Sequence, residues 1–219
     1  IDLFEAAKEV LENIDKVEPH LGYIHRSIEK MCEKDNYRQI IHLTDRMDYL
    51  SAHMNNHAVS LAIENALQIE VPERALYIRI LMDELTRISS HTLWWGVMGM
   101  DLGAITTFLY GFRDHEYVSE IFEETCGARL TMNYNVPGGV MFDIHPNFVE
   151  HTKKFIKEFK TKLPEYDRLL SNNVIFRERT VGIGLLSKEQ AISYGVTGPT
   201  GRASGFACDV RKHHPYGIY

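Results

Sequence analysis

Cysteine is scarce. Cys32, Cys126 and Cys208 are an odd count at wide spacings in 219 residues. That excludes a disulfide framework and a self-contained zinc or iron–sulfur site, and it fits a reducing compartment. Basic residues are also in deficit: 24 Lys and Arg stand against 30 Asp and Glu, a formal charge of −6, so no nucleic-acid partner is expected. The opening residues, IDLFEAAKEV, lack the basic-then-apolar order of a secretory leader. They also lack an initiator Met, so a fragment of a longer chain is expected. Internal repeats, low-complexity tracts and linker-like stretches are missing. With 44% apolar and 25% charged residues, disorder, collagen and coiled coils are excluded. Length alone points to one domain or one large fragment, able to bury most of its apolar surface.

One stretch complicates the soluble reading. Residues 92–112, TLWWGVMGMDLGAITTFLYGF, carry a single charge, Asp101. Such a run is long enough for a bilayer, and a charge within a span would be functional by default. Its four glycines and the absence of a basic flank or a second span favour a soluble core instead. That reading requires Asp101 to be buried and paired.

The rest of the pattern is helical. Leu3, Phe4, Ala7, Val10, Leu11 and Ile14 form an apolar stripe, predicting a helix over 2–16. Pro19 and Gly22 then punctuate the chain. Thr44 or Asp45 is expected to cap a helix running to about Gln68. Pro72 and Glu73 open the next, with Tyr77, Ile80, Leu81, Leu85 and Ile88 facing inward. Asp114 begins a helix that ends near Gly127 in a left-handed cap. Pro137, Gly138 and Gly139 mark a loop between short strands. Pro146 opens a basic amphipathic helix carrying Phe148, Phe155, Ile156, Phe159 and Leu163, which Pro164 should kink or end. Ser187 and Gln190 form a capping box, and Gly195 closes that helix. The tail from Gly195 is glycine-rich and irregular. The fold class is mainly α, with irregular loops and a few short strands.

Several residues could carry chemistry. On a helix, Arg46, Tyr49 and His53 would share one face. A Tyr phenol, with a pKa near ~10, stays protonated at neutral pH and can give a proton to a developing oxyanion. A capped helix with an interfacial Tyr explains the same pattern. His53 and His57 are spaced like two metal ligands, but H-M-N-N-H lacks the Glu of the zinc-protease signature and shows no third ligand. Solvated or hydrogen-bonded histidines are the simpler reading. Asp101 could orient or recharge a proton donor, or could cap a helix. V-T-G-P-T-G-R-A-S-G lacks the G-K-[ST] end of a phosphate loop. His213 and His214 read as surface polarity.

Eight short blocks, in order, resemble one family. They are P-H-L-G-Y-I-H-R-S-I-E-K (19–30), T-D-R-M-D-Y (44–49), I-E-V-P-E-R (69–74), E-L-T-R-I-S-S-H (84–91), D-L-G-A (101–104), G-A-R (127–129), P-G-G-V (137–140) and T-G-P-T-G-R-A-S-G (197–205). Together they are similar to the 49-kDa-type subunit of respiratory complex I, the D-type subunit of bacterial NADH:quinone oxidoreductase. The resemblance covers residues 19–219 and leaves 1–18 as an N-terminal helix outside the family pattern.

The resemblance implies a helical core of the nickel–iron hydrogenase large-subunit type. It implies a peripheral location on the cytoplasmic face of the bacterial inner membrane, without a transmembrane helix. The expected partners are the B-type iron–sulfur subunit and other complex I subunits, including those of the membrane arm. Quinone would be the substrate, and the iron–sulfur cluster would be held by the partner. By the same resemblance, Tyr49 matches the Tyr that hydrogen-bonds the quinone headgroup. Asp101 matches the Asp that pairs with a second quinone ligand, a histidine. Arg26 matches an Arg beside the cluster, and Arg46 and Arg129 belong to blocks near the same interface.

Hydrogenases hold nickel through a C-x-x-C just after an Arg. The matching positions here are Asp48 and Ser51, so no nickel–iron centre is expected. The chain also departs from the family. The H-P-x-x-H-G hairpin that supplies the quinone histidine should precede Pro19, yet residues 1–17 hold no histidine. Thr131 stands where many relatives have a histidine, and the family's C-terminal portion is missing after Tyr219. The function expected is that of a quinone-site subunit. A redox-inactive scaffold or assembly fragment that binds the iron–sulfur subunit is the alternative.

Overall fold

The longest apolar pattern in the chain becomes a hairpin of two long helices. The computed structural model describes Lys16 and residues 18–219; the helix expected over 2–16 lies outside the described residues, Lys16 apart. Four helices lead into and form the hairpin: α1 (Ile28–Cys32), α2 (Ile41–Thr44), α3 (Ala52–Leu67) and α4 (Glu73–Asp101). The second arm is α5 (Ile105–Cys126), followed by strands β1 (Asn135–Val136) and β2 (Gly139–Val140) and by α6 (Phe148–Tyr166). A π-helical turn, Asp167–Ser171, continues α6. The short helices α7 (Val174–Thr180), α8 (Lys188–Ser193), α9 (Gly198–Ala203) and α10 (Val210–His213) complete the chain.

Small residues let α4 and α5 approach closely. A side-chain carbon at Gly111 would sit 2.5 Å from the Thr92 carbonyl oxygen, and one at Gly96 would sit 3.2 Å from the backbone of Phe108. Thr107 fills the seam, its hydroxyl donating to Ala104 O at 2.7 Å and Gly96 O at 3.2 Å. The opposite faces build an apolar core from Ile78, Met82, Leu85, Val118, Ile121 and Phe122. Tyr134, Phe148 and Phe155 close it. Each fully buried large apolar side chain contributes roughly 1.5–3 kcal/mol.

Arg79 ties this core to the β-hairpin. It is fully buried and forms a two-pronged pair with Glu64 of α3, at 2.6 and 3.0 Å. It also donates to Val136 O and Gly139 O, while the Gly138 amide donates to Glu64. The strands are antiparallel, with Asn135 opposite Val140. A second small cluster joins Trp95, Tyr166 and Leu170.

Several expectations need correction. No helix starts at Thr44 or Asp45; α2 stops there, and α3 begins at Ala52 after a turn. Tyr77 and Leu81 face solvent, because the inner stripe of α4 runs through Ala75, Ile78, Arg79 and Met82. Asp114 does not open a helix but lies in the middle of α5. Pro164 does not end α6; it is exposed, so its missing N–H falls on the solvent side, and the helix passes into the π turn. Residues 92–112 are the tip of the hairpin rather than one element. Trp94, Ile105 and Leu109 are exposed there, and none of the described helices is long and apolar enough to cross a membrane. The Ser187–Gln190 capping box forms in both directions, and Gly127 takes the left-handed cap of α5 at φ 72°.

Candidate functional site

The turn between α2 and α3 places the candidate residues. Asp45 is its anchor. This side chain is 1% exposed and accepts the Asn133 amide at 3.0 Å, tying the turn to the loop that follows α5. Asn56 of α3 donates to Ile41 O and to the Thr44 hydroxyl, both at 3.0 Å. The Arg46 and Met47 amides bond back to Leu43 O and Thr44 O. On the far side, Asn55 Nδ2 donates to Asp48 O at 2.7 Å. The chain therefore turns instead of coiling into one helix, and the expected shared helix face of Arg46, Tyr49 and His53 does not exist.

Held this way, the turn presents Arg46 and Tyr49 together. Arg46 is exposed and donates to His42 O at 2.9 Å. Tyr49 is 55% exposed, and its hydroxyl makes no hydrogen bond among the described residues. That phenol is free to meet an incoming acceptor.

Beneath the turn the surroundings are closed to solvent. His53 is fully buried between the edges of Phe122 and Tyr134, with ring centroids 4.7 and 5.8 Å away. Burial drops its pKa to about 3, so it is neutral. Its Nε2 lies 4.0 Å from the Cys126 sulfur. Burial, with the Asp45 charge beside it, pushes the Cys126 thiol up to about 12, so this is no thiolate ligand. Burial also raises the Asp45 carboxyl, although Asn133, Asn56 and Arg46 pull the other way.

The other expected residues are scattered. Arg129 follows α5 on the loop that Asp45 grips, and it pairs with Glu116 and Glu123. Arg26 is exposed just before α1. Asp101 is exposed at the C-terminal end of α4, correcting the expectation that it is buried and paired. Leu102 to Ala104 form the hairpin turn there, with Gly103 at φ 90°, and this turns the carboxylate outward. No hydrogen bond or ion pair among the described residues joins Asp101 or Arg26 to the turn of Tyr49.

The sequence reading missed the residues that hold this region: Asp45 as an anchor, Asn56, Asn133, and Asn135, whose side-chain amide donates to His53 O at 2.9 Å. It weighed Asp45 only as a helix cap. Polar residues in a core leave no periodic signal. The two histidines expected to be solvated or hydrogen-bonded are both buried and hydrogen-bonded, His57 to Asp83 at 2.6 Å and His53 to the Cys126 sulfur at 4.0 Å. An apolar cleft of about 790 Å³ lies elsewhere, between α4, α6 and α9, with Ile88, His91, Trp94, Trp95 and Phe159 in its wall. None of the candidate residues lines it.

The hydrogenase-type fold raises the question of a nickel–iron centre, and the residues present do not suit one. Asp48 and Ser51 offer oxygen, and Asp48 Oδ1 already accepts the Leu50 amide at 3.3 Å. Among the described residues, no group of three or more His, Cys, Asp or Glu is placed to hold a metal ion.

Known proteins agree with this architecture. Residues 101–219 match the family described as respiratory-chain NADH dehydrogenase, 49 Kd subunit. The C/D-type subunit of the NADH-quinone oxidoreductase of Bacteroides fragilis is 57% identical over 208 residues, covering 95% of this chain and 39% of that protein. The D-type subunit of the Geobacillus thermodenitrificans enzyme is 47% identical over 208 residues, covering 95% of this chain and 57% of that protein. Among solved structures, a chain of the membrane-bound sulfane sulfur reductase, an archaeal respiratory membrane complex, superposes with a TM-score of 0.87 at 34% identity. That match covers 90% of this chain and 53% of the other. The chain thus spans roughly two fifths to three fifths of the relatives it matches. On its sequence and its fold, the chain belongs to the family of the 49 kDa subunit of the respiratory-chain NADH dehydrogenase.

Proposed function

We propose that this chain forms part of the quinone site of an NADH:quinone oxidoreductase. Its partner would be the iron–sulfur subunit, whose cluster supplies the electrons. Membership of the family supports the setting. One observation carries the residue assignment: an exposed, unpartnered Tyr49 phenol on a turn whose base is locked by buried Asp45. A neutral phenol in that position donates to a quinone carbonyl and gives its proton as the oxygen gains charge. Locking the turn keeps that donor in place at little entropic cost.

Arg46 shares the turn and adds positive charge beside the developing anion. Arg129 would act at the same interface, where its carboxylate partners Glu116 and Glu123 moderate its charge. Arg26 would sit near the cluster. Asp101 would hold a second quinone ligand, and its exposure leaves its carboxylate open to such a partner. The complex would lie on the cytoplasmic face of the inner membrane and couple the reaction to ion translocation.

The scaffold reading draws on the hairpin tip. Trp94 is 64% exposed, Leu109 62% and Ile105 57%, an apolar surface suited to neighbouring subunits. The two readings separate on Tyr49→Phe in the intact complex. The quinone reading expects quinone-reductase turnover to fall roughly 100-fold, the scale of a lost general acid. NADH oxidation by an artificial acceptor upstream should continue unchanged. Full turnover in Tyr49→Phe leaves only the scaffold.

A further inference from the structure

The apolar cleft between α4, α6 and α9 takes no part in the function proposed above. On α4 its wall is Ile88, His91, Trp94 and Trp95, which recur at helical spacing on one face. Phe159 and Leu163 come from α6, and α9 adds Pro199, Thr200 and Ala203. Trp94 and Leu163 are left exposed there. A contiguous apolar surface of this kind marks a place where something packs. Ile105 and Leu109, the other exposed side chains of the hairpin tip, do not line it.

Charge is unevenly spread beside the cleft. Arg87 and Arg211 share two carboxylates: Arg87 pairs with Glu84 at 3.2 Å, and Arg211 with Glu84 at 3.3 Å and Asp209 at 2.9 Å. Glu84 also accepts the Tyr219 hydroxyl. Arg202, between Thr200 and Ala203 on α9, is a third guanidinium. It is exposed, donates to Cys208 O at 3.4 Å, and forms no ion pair among the described residues. The Asp209 charge acts on it from beyond ion-pair distance. Arg202 stands close to the wall itself. Burial and then the charges of Arg87 and Arg202 lower the pKa of His91, which lines the cleft. The cleft thus joins an apolar wall to a surplus positive charge. Its complement is a set of apolar side chains accompanied by one carboxylate.

The relatives offer a source for that complement. The D-type subunit matched over 208 residues has roughly two fifths of its length outside the match, and almost half of the superposed chain lies outside as well. A stretch of that size buries its own apolar side chains against apolar surface. We propose that the cleft seats a segment of this further length, joined to the present residues in the complete subunit. That segment lays apolar side chains against Trp94, Trp95 and Phe159 and sets an Asp or Glu on Arg202. The unmatched length favours a polypeptide over an acyl chain. The proposal is independent of the reading of Tyr49.

The test uses the intact complex, with a benzoylphenylalanine photo-crosslinker in place of Trp94 or, separately, of Leu163. Mass spectrometry identifies the captured peptide. Both positions should capture the same peptide, one that belongs to the D-type polypeptide, lies outside residues 1–219 and carries an Asp or Glu. The same probe at Tyr77, exposed on α4 but outside the cleft, should not capture it. Arg202→Glu should lower the crosslink yield roughly fivefold or more, the scale of one charge-assisted hydrogen bond. Reversing the captured acid to Arg should restore the yield, which a merely misfolded variant would not allow. Should Arg202→Glu fail to assemble, Arg202→Gln removes the charge more gently. Should the probe at Trp94 prevent assembly, the one at Leu163 decides the occupant. Capture of another subunit, capture of lipid, or no capture overturns the proposal. Unchanged yield without the Arg202 charge overturns the carboxylate contact.

Discussion

Two aspartates, Asp45 and Asp114, are each 1% exposed, and the protein treats them in opposite ways. Asp114, in the middle of α5, accepts from Arg113 at 2.8 and 3.2 Å, Lys162 at 2.6 Å and Tyr166 at 2.9 Å. Burial pushes its pKa up, but these donors outweigh burial and hold the carboxyl below its usual range. Asp45 accepts one backbone amide and keeps a buried oxygen, Oδ1, unpartnered, so burial wins and its pKa rises. Asp114 therefore has its carboxylate fully bonded, whereas Asp45, in the turn that presents Tyr49, keeps one oxygen without a partner. The same contrast runs along α3. At its C-terminal end, Glu64 is fully engaged by Arg79 and the Gly138 amide, while His53, Asn56 and His57 keep unpartnered atoms. The contrast is one between two carboxylates and between the two ends of α3, where spare hydrogen-bonding capacity collects around His53 and His57; α4 and α5 keep orphaned atoms of their own at Asp83, Thr86, Trp95 and Thr125.

The largest expected effect tests the completed side. Arg79→Met strands Glu64 in the core and should cost about 3–5 kcal/mol by chemical denaturation. Asp114→Ala should cost less, about 2–3 kcal/mol, because Arg113 and Lys162 are partly exposed and recover water. Gly111→Ala forces the two long helices apart at the Thr92 carbonyl and should cost about 1–3 kcal/mol. The smallest change is expected on the incomplete side: Asp45→Asn should fall within about 1 kcal/mol of wild type, since it removes a buried charge and keeps the acceptor oxygen. A loss at Asp45 equal to that at Asp114 would erase the comparison.

pH sharpens it. A carboxyl whose folded pKa lies below its unfolded value stabilises at neutral pH, and that contribution is lost as pH falls through the folded pKa. Asp114 should therefore hold until pH drops below about 4. Asp45 has a raised folded pKa, so its charge opposes folding at neutral pH and acid relieves the cost. His53 runs against it. Its folded pKa of about 3 lies below the unfolded value, so stability falls as pH drops from 6.5 toward 3. The limiting slope is about 1.4 kcal/mol per pH unit. Replacing His53 with Leu should remove that slope in a denaturation series from pH 7 to pH 4.

These two regions also differ in how legible they were. Pro72 before α4, Gly127 after α5, the Pro137–Gly139 turn and the Ser187–Gln190 box all follow from local chemistry acting over a few residues, and all are present. The break at residues 45–51 is different. Its cause is Asn133, 88 positions away, which gives Asp45 a better use than capping a helix. Asp114 looked like a helix start because its partners Lys162 and Tyr166 are distant in sequence. Asp101 looked buried because the run around it is apolar, yet the reversal at Gly103 exposes it. For the candidate site, the residues that could touch a ligand came from the family resemblance. The side chains that hold them were visible only in the fold.

The most direct measurement is a titration of a quinone-headgroup analogue into the intact complex, comparing Tyr49 with Tyr49→Phe. Loss of one hydrogen bond of about 1 kcal/mol predicts binding at least roughly fivefold weaker for Tyr49→Phe, with assembly unchanged. Equal affinity in the two complexes would contradict the assignment of this turn to the quinone site.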